Sequence, residues 1–211
     1  MKRSLRLAII AASLVGGAGV AQAQAAFEFT NPGHSFTNGS WNFGWNFKAN
    51  ETVTVSGLGY YADPINGFAD QNQVALYNSE GSLLASAIVD NTYALLGHFR
   101  YVTIAPITLT AGQTYQIDGV SHGDNYTWDD AGFATNSAIN YVSNSWTSTS
   151  ATTPFFQTNT QVDSDHGFHG PNLFLGAPVF TAPVPEPETY ALLLAGLGFI
   201  GFMSRRRKQA V

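Results

Sequence analysis

The stretch Val74-Ala75-Leu76-Tyr77-Asn78-Ser79-Glu80-Gly81-Ser82-Leu83-Leu84-Ala85-Ser86-Ala87-Ile88-Val89 decides the fold class. Two short apolar runs flank a cluster of turn formers, Asn78 to Gly81. Runs this short suit strands, and four turn residues between them suit an antiparallel hairpin. The same signal recurs outward in both directions. Upstream, Phe43, Trp45 and Phe47 alternate with Asn42, Gly44 and Asn46, and Val53 and Val55 alternate with Thr52 and Thr54. Such alternation gives a strand one apolar face. Downstream, Phe99 to Ile104 is another run, and Ile107 and Leu109 lead through Ala111-Gly112-Gln113 into Thr114 to Val120, a further strand–turn–strand. Residues 134–165, dominated by Asn, Ser and Thr, read as late strands with long loops, and Pro171 to Leu175 as a closing strand. No helical period of useful length runs from Phe36 to Phe174. The expected body is therefore all-β, an antiparallel β-sandwich or jelly roll. Phe43 or Trp45, Val55, Leu76, Leu84, Val102, Leu109 and Ile117 are the expected core residues.

Length and charge bound the rest. The 211 residues hold one body plus short terminal signals. No cysteine is present, which excludes disulfides, thiolate metal sites and thiol catalysis. Between residues 24 and 183 there are twelve acidic residues and only two basic ones, Lys48 and Arg100. A body of formal charge −10 repels phosphate backbones, so nucleic acid is not an expected partner. Cations and uncharged polar polymers remain open.

The other seven basic residues sit at the ends. Lys2, Arg3 and Arg6 precede the apolar run Leu7 to Val20, and Ala21-Gln22-Ala23 follows it. This is the pattern of a secretory signal peptide over residues 1–23, with Ala23-Gln24-Ala25 as a second cleavage position. At the other end Val184-Pro185-Glu186-Pro187-Glu188 is stiff and extended, because proline fixes φ and biases its predecessor away from helix. Tyr190 to Met203 is apolar throughout, a helix about 21 Å long that would enter a membrane. Arg205, Arg206, Arg207 and Lys208 would hold its cytoplasmic side.

Pro185-Glu186-Pro187, the short transmembrane helix and the terminal basic cluster together resemble the PEP-CTERM sorting signal, over residues 184–208. The resemblance implies a Gram-negative bacterium that makes exopolysaccharide, and an exosortase partner that cuts the tail near the motif. It implies a precursor in the inner membrane and a product at the cell surface or in the extracellular matrix. The body, residues 24–183, is similar to a β-sandwich domain of unknown function common in such proteins. The carrying residues are Val55 to Tyr61, Val74 to Tyr77, Gly81 to Ser86 and Pro106 to Tyr115. Domains of that kind look like carbohydrate-binding jelly rolls, so a polysaccharide partner is implied and catalysis is not.

Gly119-Val120-Ser121-His122-Gly123 spells G-x-S-x-G, but Asp124 to Asp130 does not open the helix that a nucleophile elbow requires. A secreted hydrolase, an esterase or glycosidase using Ser121 or an acidic pair, is the alternative to a non-enzymatic protein with no catalytic residue. Asp163, Asp165, His166 and His169 cluster metal-ligating side chains. Asp63, Asn66 and Asp70 place short oxygen ligands around Gly67, a set suited to Ca²⁺ if backbone carbonyls and water complete the shell. Trp128 and Trp146 lie in polar surroundings, which favours them over Trp45 as exposed ligand contacts.

Overall fold

A computed structural model describes residues 24–68, 71–162 and 167–177. The signal peptide, the sorting motif Pro185-Glu186-Pro187, the apolar segment 190–203 and the basic tail lie outside the described residues. Among the described residues no helix is long and apolar enough to cross a membrane.

The described chain runs through fourteen strands: β1 (Gln24–Ala25), β2 (Phe27–Glu28), β3 (His34–Phe36), β4 (Trp41–Ala49), β5 (Val53–Tyr61), β6 (Asn72–Asn78), β7 (Leu83–Val89), β8 (Leu95–Leu96), β9 (Phe99–Leu109), β10 (Thr114–Val120), β11 (Tyr126–Trp128), β12 (Ala134–Thr135), β13 (Ile139–Ser148) and β14 (Pro171–Leu175). They form two five-stranded sheets, β1-β14-β5-β9-β8 and β13-β4-β10-β6-β7, plus the short pairs β3/β11 and β2/β12. Every pairing is antiparallel. The hairpin expected from Val74 to Val89 is β6/β7, with Val74 opposite Ala87. The expected strand–turn–strand around Gly112 is also present, but its strands do not pair: β9 lies in one sheet and β10 in the other. The two runs Phe99 to Ile104 and Ile107 to Leu109 form one strand, with Pro106 in an irregular stretch between the pairs Gly57/Thr103 and Val55/Ile107. A proline is tolerated there because no regular ladder bond is required of its nitrogen.

One core fills the space between the sheets. Trp45, Phe47, Leu76 and Ile117 meet Val55, Leu58, Tyr60, Tyr101 and Leu173 from the opposite sheet, all buried. The Trp45 indole donates from Nε1 to the carbonyl of Pro171 on the other sheet at 2.9 Å, so its one polar atom is satisfied across the sandwich. Phe27 meets Trp45 edge to face at 5.3 Å. Phe43, Val55, Leu76, Leu109 and Ile117 are buried as expected, and Val102 packs partly buried against the core. Leu84 does not: it is 38 % exposed. It has no opposite residue where the register shifts between the pairs Leu76/Ala85 and Tyr77/Leu83, so it is the extra residue of a bulge on an edge strand. Ala85, Ala87 and Val89 supply the inward face of β7 instead.

The coil 149–162 crosses the outer face of the second sheet as a strap. Its carbonyls accept from side chains that stand up from the strands: Tyr77 Oη to Pro154 O at 2.9 Å, Asn42 Nδ2 to Phe155 O at 3.0 Å and Gln116 Nε2 to Gln157 O at 2.9 Å. Polar residues on the solvent side of a sheet are thus buried, because the strap has replaced water as their partner.

Candidate functional site

At one end of the sandwich the two-stranded ribbon β3/β11 carries a patch of rings. The alternation His34-Ser35-Phe36 against Tyr126-Thr127-Trp128 places His34 opposite Trp128 and Phe36 opposite Tyr126. Directly opposed side chains on one face of an antiparallel pair touch. His34 stacks on Trp128 with ring centroids 5.0 Å apart, and Phe36 meets Trp128 edge to face at 6.2 Å. Tyr126 continues the patch inward to the buried Phe43 at 4.3 Å. Trp128 and Trp146, eighteen positions apart in sequence, are brought together by Phe168: both meet its ring edge to face, at 5.7 and 5.1 Å. Phe36 is 47 % exposed, and Trp128, Trp146 and Phe168 are each partly exposed. Among the described residues neither the Trp128 nor the Trp146 indole N–H meets an acceptor, whereas Trp41 Nε1 donates to Asn38 Oδ1 at 2.7 Å.

A buried hub holds this patch in place. The Asp130 carboxyl accepts from Gly33 N at 2.9 Å and from Thr127 Oγ1, and its other oxygen lies 2.6 Å from His169 Nδ1. Thr127 and His169 also exchange both backbone hydrogen bonds, at 3.1 and 2.7 Å. The His169 ring in turn packs against Phe133 and Phe27. Trp128 and Asp129 are therefore carried on a segment whose two neighbours in sequence, Thr127 and Asp130, are tied to the fold's interior. Asp129 adopts φ = 53°, a left-handed conformation that costs a non-glycine residue free energy and persists only where its surroundings impose it. That turn leaves the Asp129 carboxylate exposed beside the rings, 3.6 Å from His34 Nε2. Gly33 permits the close approach, since a Cβ there would fall 2.0 Å from the Asp129 carbonyl oxygen. Aromatic faces flanked by a carboxylate and by indole N–H donors without an acceptor among the described residues suit a ligand with both C–H faces and hydroxyls.

The other sequence candidates have different surroundings. Asp63 Oδ1 accepts from Ile65 N at 2.7 Å, while Oδ2 accepts from Asn66 Nδ2 at 3.1 Å and Asn125 Nδ2 at 2.6 Å. Burial raises the Asp63 pKa, but these hydrogen bonds outweigh it and hold the carboxyl below its ordinary value. Gly67 closes the turn with φ = 77° and donates its N–H to Asp63 O. The loop is thus an Asx turn in which Asn66 presents its N–H to Asp63, and a calcium ion would have to displace those donors. Asp70 lies outside the described residues. Ser121 is fully buried, and its Oγ accepts from Trp41 N at 3.0 Å. The strained residue of the Gly119–Gly123 turn is His122, φ = 49°, and the short strand β11 follows, not a helix. His169 faces the Asp130 hub, while Asp163, Asp165 and His166 lie outside the described residues. Among the described residues no three His, Cys, Asp or Glu side chains gather into a metal-holding group.

One buried acid stands apart from these. Beneath the strap, Asp118 Oδ1 accepts from Gln157 Nε2 at 2.8 Å and Asn42 Nδ2 at 3.3 Å, and Oδ2 has no partner. Burial pushes its pKa up to about 8, more than the two hydrogen bonds lower it. Gly44 is the cradle, because a Cβ there would lie 2.1 Å from Asp118 Oδ1.

Residues 29–168 match a family described as a domain of unknown function, DUF4082. The chain belongs to the DUF4082 family. Its residues 183–208 match the PEP-CTERM protein-sorting motif. This DUF4082 chain is accordingly a PEP-CTERM protein, an exosortase-processed exported protein whose precursor is anchored in a membrane before it reaches the surface or the exterior. No curated protein matches the chain. The DUF4082 match covers the strap 149–162 and both strands of the aromatic ribbon, while His169 of the hub lies just beyond it.

Sequence reasoning found Trp128 and Trp146 but not their companions His34, Phe36, Asp129 and Phe168. The signal for the first two was the period-two pattern of His34-Ser35-Phe36, in a strand of only three residues. Asp129 becomes distinctive only through its backbone conformation.

Proposed function

We propose that the DUF4082 body is a non-catalytic polysaccharide-binding module. On this reading the precursor is held in the inner membrane of a Gram-negative bacterium by the segment 190–203 and cut near Pro185-Glu186-Pro187. The released protein then binds or organises exopolysaccharide at the cell surface or in the extracellular matrix. The observation that carries the proposal is the partly exposed ring patch of Phe36, Trp128, Trp146 and Phe168, with the left-handed Asp129 carboxylate at its side. Sugar rings present apolar C–H faces that stack on aromatic side chains and hydroxyls that meet carboxylates and indole N–H groups. A buried, hydrogen-bonded Ser121 supports binding over acyl transfer.

The test is co-sedimentation of the mature protein with a panel of insoluble polysaccharides, beside esterase and glycosidase assays. Depletion from solution that is lost in Trp128→Ala with Trp146→Ala is the expected result. Turnover that disappears in Ser121→Ala would overturn the proposal in favour of a hydrolase.

A further inference from the structure

We infer that the ring patch takes an uncharged saccharide chain and turns away polymers bearing carboxylate, sulfate or phosphate groups. This rests on the saccharide-binding reading above and adds the chemical class of the ligand. The stacking surfaces are indifferent to charge, so selection must come from the polar groups around them. The fixed charge at the patch is Asp129, whose side chain is 48 % exposed. It accepts hydrogen bonds from hydroxyls and repels a uronate or a sulfate ester. Among the described residues no lysine or arginine stands at the patch to meet such a group. Lys48 stands near the far end of β4, opposite Thr114 and Asn140, and Arg100, on β9 of the other sheet, donates from Nη1 to the carbonyl of Tyr93 in the loop between β7 and β8. Among the described residues the imidazole beside the rings is His34, whose Nε2 lies 3.6 Å from the Asp129 carboxylate and so faces that oxygen rather than an incoming anion.

The donors at the patch point the same way. The Trp128 and Trp146 indoles offer neutral N–H groups that lack an acceptor among the described residues. A neutral donor satisfies a hydroxyl oxygen well but compensates the desolvation of a carboxylate poorly. Residues 24–183 carry a formal charge of −10, so the field of the whole body adds to local repulsion of any polyanion. Exposed charges separated by more than a Debye length are screened by salt, whereas ring stacking is not. Binding of the fitting ligand should therefore be nearly independent of ionic strength.

The experiment measures retention of the mature protein on beads coated with a neutral β-glucan or galactomannan, or with alginate or pectate, at low and high salt. The variants are Trp128→Ala, Trp146→Ala and Asp129→Asn, the last chosen because asparagine also tolerates the left-handed conformation. The expected result is retention on a neutral polymer at both salt concentrations, weakened about tenfold by either tryptophan substitution. Asp129→Asn should reduce the discrimination against alginate and pectate. Stronger retention on an acidic polymer at low salt would overturn the ligand class while leaving saccharide binding intact. Retention on none of the four would sink the saccharide reading itself. Undiminished neutral binding by tryptophan variants that melt like the wild type would overturn the assignment of the site.

Discussion

Replacing Asp118 by Asn should remove a slope from the pH dependence of stability. The native carboxyl titrates at about 8, far above its value in an unfolded chain, because strap and sheet exclude water from it and Oδ2 has no partner. Between roughly pH 4 and pH 8 the native state therefore keeps a proton that the unfolded chain has released. Stability from this group is fully present below the unfolded value of about 3.9 and is lost as pH rises through the folded value. A single proton makes that loss about 1.4 kcal/mol per pH unit. Between pH 5.5 and pH 7.5 the wild type should thus lose roughly 2–3 kcal/mol through Asp118, while the Asn variant loses none of it. The Asn amide still accepts from Gln157 Nε2, so the strap contact survives. Its new N–H₂ enters a network that already contains the unpartnered Asn42 Oδ1. Any residual mismatch costs about 1–3 kcal/mol at every pH and leaves the slope untouched. The assay is urea unfolding of wild type and Asp118→Asn across this pH range, read as the difference between the two so that other titrating groups cancel. Parallel curves would refute the buried, protonated state of Asp118.

Four further outcomes follow from the packing. Trp45→Ala should cost about 3–5 kcal/mol in urea unfolding, since the ring is fully buried and bonded to the opposite sheet. Gly44→Ala should cost about 1–3 kcal/mol by crowding Asp118, and the same substitution in an Asp118→Ala background should be milder; equal costs in the two backgrounds would argue against the cradle. Millimolar calcium should leave the thermal midpoint close to its value in EDTA, because internal donors already hold both Asp63 oxygens; a rise abolished by Asp63→Ala would show that calcium displaces them. Mass spectrometry of the surface protein should show an N-terminus at Gln24, since cleavage after Ala25 would remove the strand β1 that pairs with β14, and should show loss of the residues after Pro187.

The sandwich was legible because alternation is a local signal. Trp45 among asparagines and glycines, and the runs around Asn78 to Gly81, state their faces and their turn without help from distant residues. Leu84 misled because a bulge displaces a side chain without altering composition. Sheet assignment across Gly112 was also hidden, since a turn between sheets and a hairpin turn use the same residues. The site was half legible. Polar surroundings marked Trp128 and Trp146, but their meeting on Phe168 depends on how β11 and β13 sit beside the segment entering β14. Asp118 reads in sequence as an ordinary outward-facing acid of β10. Its burial comes from a strap some forty residues away whose composition resembles any polar loop.

A crystal structure of the mature protein bound to a neutral oligosaccharide tests the central claim most directly. The account predicts a sugar ring stacked among Phe36, Trp128 and Trp146, with a hydroxyl on the Asp129 carboxylate. Sugar seated elsewhere, for example in the cleft of about 510 Å³ lined by Gln71, Gln73, Ile88, His122 and Thr152, with the ring patch bare, would contradict it.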